Sequence, residues 1–266
     1  MSDQVATLET SRAKSFYQQV ATLRKDNWWV EPALTVTMLT TFVVYTTWAA
    51  LVNVHYFFDP YLSPFYSPCL STHCAHPTIA LFNWPLSPAI LILWAPAGFR
   101  LTCYYYRKAY YRSFWLSPPA CAVRDGHKRY TGETRFPLLI QNLHRYFFYF
   151  ATLVVAFLWW DALLAFRFPA GEGYYEFGMG VGTLVLLANA ALLSLYSFSC
   201  HSCRHLCGGG LDVLSRSPTR YKLWRIVSRL NEDHMLYAWI SLVMVMLADL
   251  YVRLLSMGYI SDLRIF

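Results

Sequence analysis

Charge is what this chain has least of. Of its 266 residues only 14% are Asp, Glu, Lys or Arg, where a soluble domain carries roughly a quarter. With 56% hydrophobic and 18% aromatic residues and a positive mean hydropathy, that deficit excludes a water-soluble fold and places the chain among polytopic membrane proteins. Lys and Arg are missing altogether from two stretches, 54–85 and 168–178. No nucleophile–base motif, phosphate loop or two-carboxylate arrangement stands out, and there is no internal repeat or low-complexity linker. The first apolar run is not a signal peptide, because residues 1–32 precede it and no small-residue cleavage site follows. No chain of acids crosses the centre of the apolar runs, which argues against a proton-driven transporter.

Five apolar runs are present, at 33–53, 86–105, 143–166, 179–200 and 235–256. Each has about 20 residues, enough to cross a hydrocarbon core about 30 Å thick. The fold expected is all-α, a five-transmembrane-helix bundle, with Pro88 and Pro96 giving the second span an early start and a kink. The formal charge of +7 does not indicate nucleic acid, because the basic residues sit in alternate loops: Arg12 to Lys25, Arg107 to Arg135 and Arg204 to Arg229. By the positive-inside rule the N-terminus is cytoplasmic and the C-terminus outside.

Residues 1–32 read as a basic, modestly amphipathic segment along the cytoplasmic interface, with Trp28 and Trp29 in the aromatic belt, or as a partly disordered tail. Residues 33–266 form the membrane domain. "GMGVG" (178–182) reads as a close-packing face rather than a nucleotide loop. Gly208, Gly209 and Gly210 read as a helix stop in the left-handed conformation, so that the fourth helix continues to about residue 207.

The chemistry is concentrated in "SFSCHSCRHLCGGG" (197–210). At about 100° per residue, Cys200, Cys203 and Cys207 fall within about 60° of one another on a helix, with His201 and His205 as a second stripe. Cys103, Cys121, His144 and His234 reach the same level from other segments. Two Cys with two His suit a Rieske-type 2Fe–2S centre or a zinc site, and two His from different helices suit a haem. Simple packing as small buried hydrophobes is the bland reading. In the loop without basic residues, Cys69 and Cys74 most simply form a disulfide, and a metal site with His73 and His76 is the sharper alternative. Arg100, Arg145, Asp161, Asp249 and Arg253 lie within or near span ends, where snorkelling is the commoner explanation. The stretch "CYYYRKAYYRSFW" (103–115) is either an aromatic belt or the wall of a quinone pocket, with Tyr106, Arg107, Arg145 and His234 as its polar groups beside His144.

Four runs carry a family resemblance: "FRLTCYYYRKAYYRSFWLSPPACAV", "YTGETRFPLLIQNLHRYFFYFA", "SCHSCRHLCGG" and "LNEDHMLYAWISLVMVMLADLYV". From about Trp29 onward the chain resembles the single-chain membrane anchor of actinobacterial succinate dehydrogenase. The resemblance implies five helices, flavoprotein and iron–sulfur subunits docked on the cytoplasmic side, menaquinone as acceptor, and a Rieske-type 2Fe–2S cluster in place of haem b. The matching positions are Cys200, His201, Cys203 and His205, with Cys121 and His144 in the other matching motifs. The expected role is therefore the anchor and quinone-reducing subunit of succinate:quinone oxidoreductase in the inner (plasma) membrane, in contact with lipid and quinone, within a higher oligomer of the whole complex. The alternatives are a haem b anchor of a fumarate reductase and a non-redox scaffold with a structural zinc.

Overall fold

The computed structural model describes residues 27, 29–70, 87–114, 136, 138–171, 173–209, 211 and 213–266. The segment 1–26, Trp28, His73, Cys74, His76 and Cys121 lie outside the described residues, so the readings placed on them stand as expectations.

Every apolar run forms a helix: α1 (Val30–Val52), α2 (Pro88–Thr102), α4 (His144–Leu164), α5 (Val181–Phe198) and α8 (His234–Ser256). Three further helices, α3 (Tyr104–Phe114), α6 (His201–Gly208) and α7 (Pro218–Glu232), lie where the basic loops were expected. The described residues also hold two short hairpins, β1 (Phe57–Phe58) with β2 (Tyr61–Leu62), and β3 (Arg167–Gly171) with β4 (Tyr174–Phe177), and 3-10 turns at Pro64–Tyr66, Leu138–Leu143 and Leu214–Arg216.

Local chemistry sets the ends. The Ser87 hydroxyl accepts the Ala89 N–H, with Pro88 at the first helical position, an arrangement that satisfies an otherwise orphaned donor. Pro96 then sits inside a continuous helix. Asn53 closes α1 with φ of 49°, a left-handed conformation that Asn tolerates better than most residues. The Thr183 hydroxyl accepts the Gly180 N–H and donates to the Ala165 carbonyl, which ties the start of α5 to the end of α4. Gly182 lies flat against the Tyr61 ring, where a Cβ would collide. The glycine motif is thus a close-packing face, although its partner is a hairpin tyrosine rather than a helix.

Two expectations need correction. The fourth apolar helix does not run on to residue 207: α5 stops at Phe198, Cys200 is extended, and α6 starts afresh at His201. Nor does a left-handed glycine end it, because Gly209 has φ of −67°.

The apolar helices run alternately between the same two ends, with α5 packed on α4 and α8, α2 on α4, and α1 against α3 and α8. Side chains facing outward are apolar, with Leu34 66% and Val44 64% exposed, the reverse of a soluble fold. Among the described residues four helices are suited by length and composition to crossing a membrane, Val30–Val52, Leu139–Leu164, Val181–Phe198 and His234–Ser256, while Pro88–Thr102 is shorter at 15 residues. One end of the bundle carries both hairpins and a buried ion pair, Arg253 Nε to Asp249 Oδ2 at 2.8 Å. The other, basic end carries α3, α6 and α7.

Candidate functional site

At the basic end, side chains from four elements converge on a row of rings. His144, opening α4, stacks on Phe99 of α2 at 4.7 Å between centroids. Phe99 meets Tyr196 of α5 at 5.3 Å, and Tyr196 stacks on His234, which opens α8, at 5.2 Å. Each imidazole is held by a hydroxyl: His144 Nδ1 lies 2.9 Å from Thr102 Oγ1, and His234 Nδ1 lies 2.7 Å from Ser199 Oγ. The second nitrogen of His234 is 3.6 Å from the Cys103 sulfur. Asn231 donates to the Ser199 carbonyl at 2.7 Å, which holds the linker between α5 and α6 against the start of α8.

Beside this row sits Arg100, in the last turn of α2 and 9% exposed. Its Nη1 donates to the Tyr106 hydroxyl at 2.5 Å and to the Ala238 carbonyl at 3.2 Å, and Nη2 donates to Ser241 Oγ at 3.1 Å. The Tyr106 hydroxyl in turn donates to the Ala238 carbonyl, and burial raises its pKa. The guanidinium lies over the rings of Tyr196, Tyr106 and Phe42, at 4.6, 5.5 and 5.9 Å. No carboxylate pairs with it among the described residues. Arg100 and Arg253 therefore fold inward, whereas snorkelling was the commoner expectation for arginines near span ends.

The cysteine-rich run does not gather into one site. Cys200 is fully buried, and its sulfur accepts the Cys203 N–H at 3.3 Å, so it acts as the N-cap of α6. His201 and His205 are exposed. His205 Nδ1 meets Arg145 Nη2 at 3.2 Å, on the surface. Burial pushes the Cys200 thiol up to about 12. Burial and the neighbouring thiols Cys207 and Cys200 push Cys203 up to about 12 as well. Among the described residues no three His, Cys, Asp or Glu side chains could hold a metal ion together. The cause is the break in the helix at Ser199 and Cys200, which turns Cys200 into the core while the two histidines face outward from α6. His144 and His234 do not face each other as a haem clamp would, because the Phe99 and Tyr196 rings stand between them.

Of the four quinone-pocket candidates, Tyr106 and His234 come together on either side of Tyr196. Arg107 lies over the Tyr104 ring and Arg145 at the surface, so neither joins them. Sequence reasoning named Arg100 only as a charge near a span end, and it missed Phe99, Tyr196 and Trp239, since one aromatic among so many carries no signal. Cys69 is disulfide-bonded, and Cys74, the partner expected, lies outside the described residues.

Residues 30–258 match the family described as actinobacterial succinate dehydrogenase subunit SdhC. A solved structure, the Mycobacterium smegmatis Sdh1 complex in the apo form, contains a chain 49% identical to this one, with a TM-score of 0.83, covering 92% of this chain and 94% of that one. No curated protein matches.

Proposed function

The chain belongs to the actinobacterial succinate dehydrogenase subunit SdhC family, and from that premise we propose that it anchors the complex in the plasma membrane and passes electrons to menaquinone. It is an integral membrane subunit of an enzyme complex. In this reading α2 crosses as a fifth, short span, the N-terminus is cytoplasmic, and the basic end receives the flavoprotein and iron–sulfur subunits. The observation that carries the reading is the asymmetry of the two ends. The basic end buries Cys103, Cys200, His234 and an Arg100 with no carboxylate partner among the described residues, with His144 half-buried beside them, whereas the other end pairs its buried arginine with Asp249. A cationic, ring-lined niche at the face where electrons arrive suits an acceptor whose oxygens gain negative charge on reduction.

The test uses the purified complex. Succinate should reduce a naphthoquinone and, independently, an artificial dye. Complex stripped of this chain should keep the dye reaction and lose quinone reduction. Quinone reduction that survives without the chain would refute the proposal.

The 2Fe–2S centre remains a proposal resting on residue chemistry alone, the thiols and imidazoles of Cys121, His144, Cys200, His201, Cys203 and His205. Such a group would supply a one-electron relay, but the described residues form no ready site for it, and no step is routed through it. Iron with acid-labile sulfide in the purified complex would support it. Zinc alone would favour the structural-metal reading, and a bis-histidine haem spectrum would favour haem b.

A further inference from the structure

We propose that α7 is an interfacial helix that holds an anionic phospholipid, with Lys222, Arg225 and Arg229 on the phosphate and Leu223, Ile226 and Leu230 against the acyl chains. The inference needs only an integral membrane subunit, and it stands whichever acceptor the complex reduces.

At about 100° per residue, α7 divides into four sectors. Trp224, Val227 and Asn231 share the one that faces the bundle. Val227 is buried, the Arg204 guanidinium of α6 lies over the Trp224 ring at 5.1 Å, and Asn231 donates to the Ser199 carbonyl. Leu223, Ile226 and Leu230 share the next, about 100° round the helix, where Ile226 is 58% exposed and Leu223 is exposed as well. Lys222, Arg225 and Arg229, all exposed, lie on the side away from the bundle within an arc of about 60°. Tyr221 and Ser228 occupy the fourth sector, opposite the apolar one.

The level of α7 follows from what it joins. Asp233 alone separates it from α8, an apolar span whose first turn exposes Met235 and Leu236. The lipid-facing surface of that span therefore begins within a turn or so of Leu230, and the apolar sector of α7 continues it. A helix at that level buries its apolar sector among acyl chains and keeps its cations among the head groups.

The three cations are also the ones the protein leaves unused. Arg204 donates to Ser228 Oγ at 3.0 Å, and Arg220 donates to the Cys207 and Gly209 carbonyls at 3.0 and 3.1 Å. Among the described residues no carboxylate forms an ion pair with Lys222, Arg225 or Arg229, and Arg225 has only the Tyr221 ring at 5.8 Å. From Lys222 to Arg229 the row runs roughly 10 Å along the helix. A phosphodiester with two acyl chains meets both sectors at once. An acidic protein surface would satisfy the cations and leave the apolar strip without a partner, and a subunit seated over the end of the bundle would meet Tyr221 and Ser228 instead.

The test uses the intact, detergent-solubilised complex. Phosphatidylglycerol and phosphatidylcholine of equal chain length are added to the micelles, and bound phospholipid is counted by native mass spectrometry. A cation near an anionic surface strengthens binding about fivefold, so Lys222→Gln, Arg225→Gln and Arg229→Gln combined should weaken phosphatidylglycerol binding on the order of a hundredfold. Phosphatidylcholine binding should not change. Arg225→Lys with Arg229→Lys, which keeps the charge, should stay within about threefold of wild type. Dye reduction by succinate should be equal in all three proteins, which shows that the variants assemble. A glutamine variant that keeps its phosphatidylglycerol affinity, or a lysine variant as weak as the glutamine one, overturns the proposal. So does a wild-type complex that binds the two lipids equally. Inorganic phosphate that displaces phosphatidylglycerol at equal concentration would make this a free-anion site and overturn the lipid assignment. Loss of the flavoprotein and iron–sulfur subunits from the glutamine variant, with lipid affinity unchanged, would give the basic sector to those partners instead.

Discussion

Replacing Asp249 by leucine tests whether the ion pair at the hairpin end is a structural lock. Asp249 is fully buried, and its carboxylate accepts hydrogen bonds from Arg253 Nε at 2.8 Å, from the Tyr45 hydroxyl at 2.6 Å and from the Ser63 hydroxyl. Leucine accepts none of these. Arg253, 1% exposed, would keep the Ala49 and Val54 carbonyls at 2.7 and 2.8 Å and the Trp48 ring at 5.2 Å, which solvate the cation without neutralising it. Breaking a buried pair from one side costs about 3–5 kcal/mol, and the orphaned hydroxyls push the value toward the upper end. At about 2–4 °C per kcal/mol for a large chain, the thermal midpoint should fall by roughly 10–15 °C. Removing both charges, Asp249→Leu with Arg253→Met, deletes the stranded cation and should recover most of that loss. The assay is intrinsic fluorescence of the solubilised complex at a fixed scan rate, with Arg253→Met alone completing the cycle. A loss below about 1 kcal/mol for Asp249→Leu, or a double variant as unstable as the two singles added together, would refute the reasoning.

Gly182→Ala forces a Cβ into the Tyr61 ring and should destabilise by about 1–3 kcal/mol; a midpoint equal to wild type would show that the ring yields freely. Arg145→Leu should change quinone reduction by less than about twofold, as expected of a surface substitution, because Arg145 contacts His205 at the surface and lies apart from the ring row. A deep loss of quinone turnover would return Arg145 to the site. In metal-free protein, Cys200 should resist alkylation from pH 7 to 9. Its thiol pKa is raised to about 12, so the reactive thiolate is on the order of one in ten thousand at pH 8 and grows only as the pH approaches that value. Mass spectrometry showing Cys200 labelled in the native state would contradict this. The Arg264–Glu176 pair, 2.6 Å apart but about half exposed on both sides, should contribute less than about 1 kcal/mol. Glu176→Ala should therefore leave Ile265 and Phe266 hydrogen-bonded to the Met179 backbone, as amide exchange would report.

The two ends of the bundle carry different kinds of polar structure for a physical reason. At the hairpin end, Asp249, Arg253, Ser63 and Tyr45 satisfy one another, so their chemistry is spent on holding α1, α8 and the first hairpin together. At the basic end the partners of Arg100 among the described residues are rings and neutral acceptors, which solvate its charge without cancelling it.

The positions of the five apolar helices were determined by the sequence alone, because a run of about twenty apolar residues is a one-dimensional property that a bilayer reads directly. The helix boundaries agree with the runs to within a few residues. The concentration of Cys, His, Arg and Tyr toward one set of loops was equally legible, and so was the family. Tertiary structure decided the rest. Nothing local in "SFSCHSC" breaks a helix, since it holds neither Pro nor an interior Gly. The break at Ser199 and Cys200 goes with long-range contacts, Ser199 to His234 and Asn231 to the Ser199 carbonyl, and it separates thiols and imidazoles that a continuous helix would have set side by side. Likewise Arg100 and Arg145 look alike as arginines near span ends. Only packing turns one inward among three rings and the other outward to His205, because burial depends on what the neighbouring helices place opposite a residue.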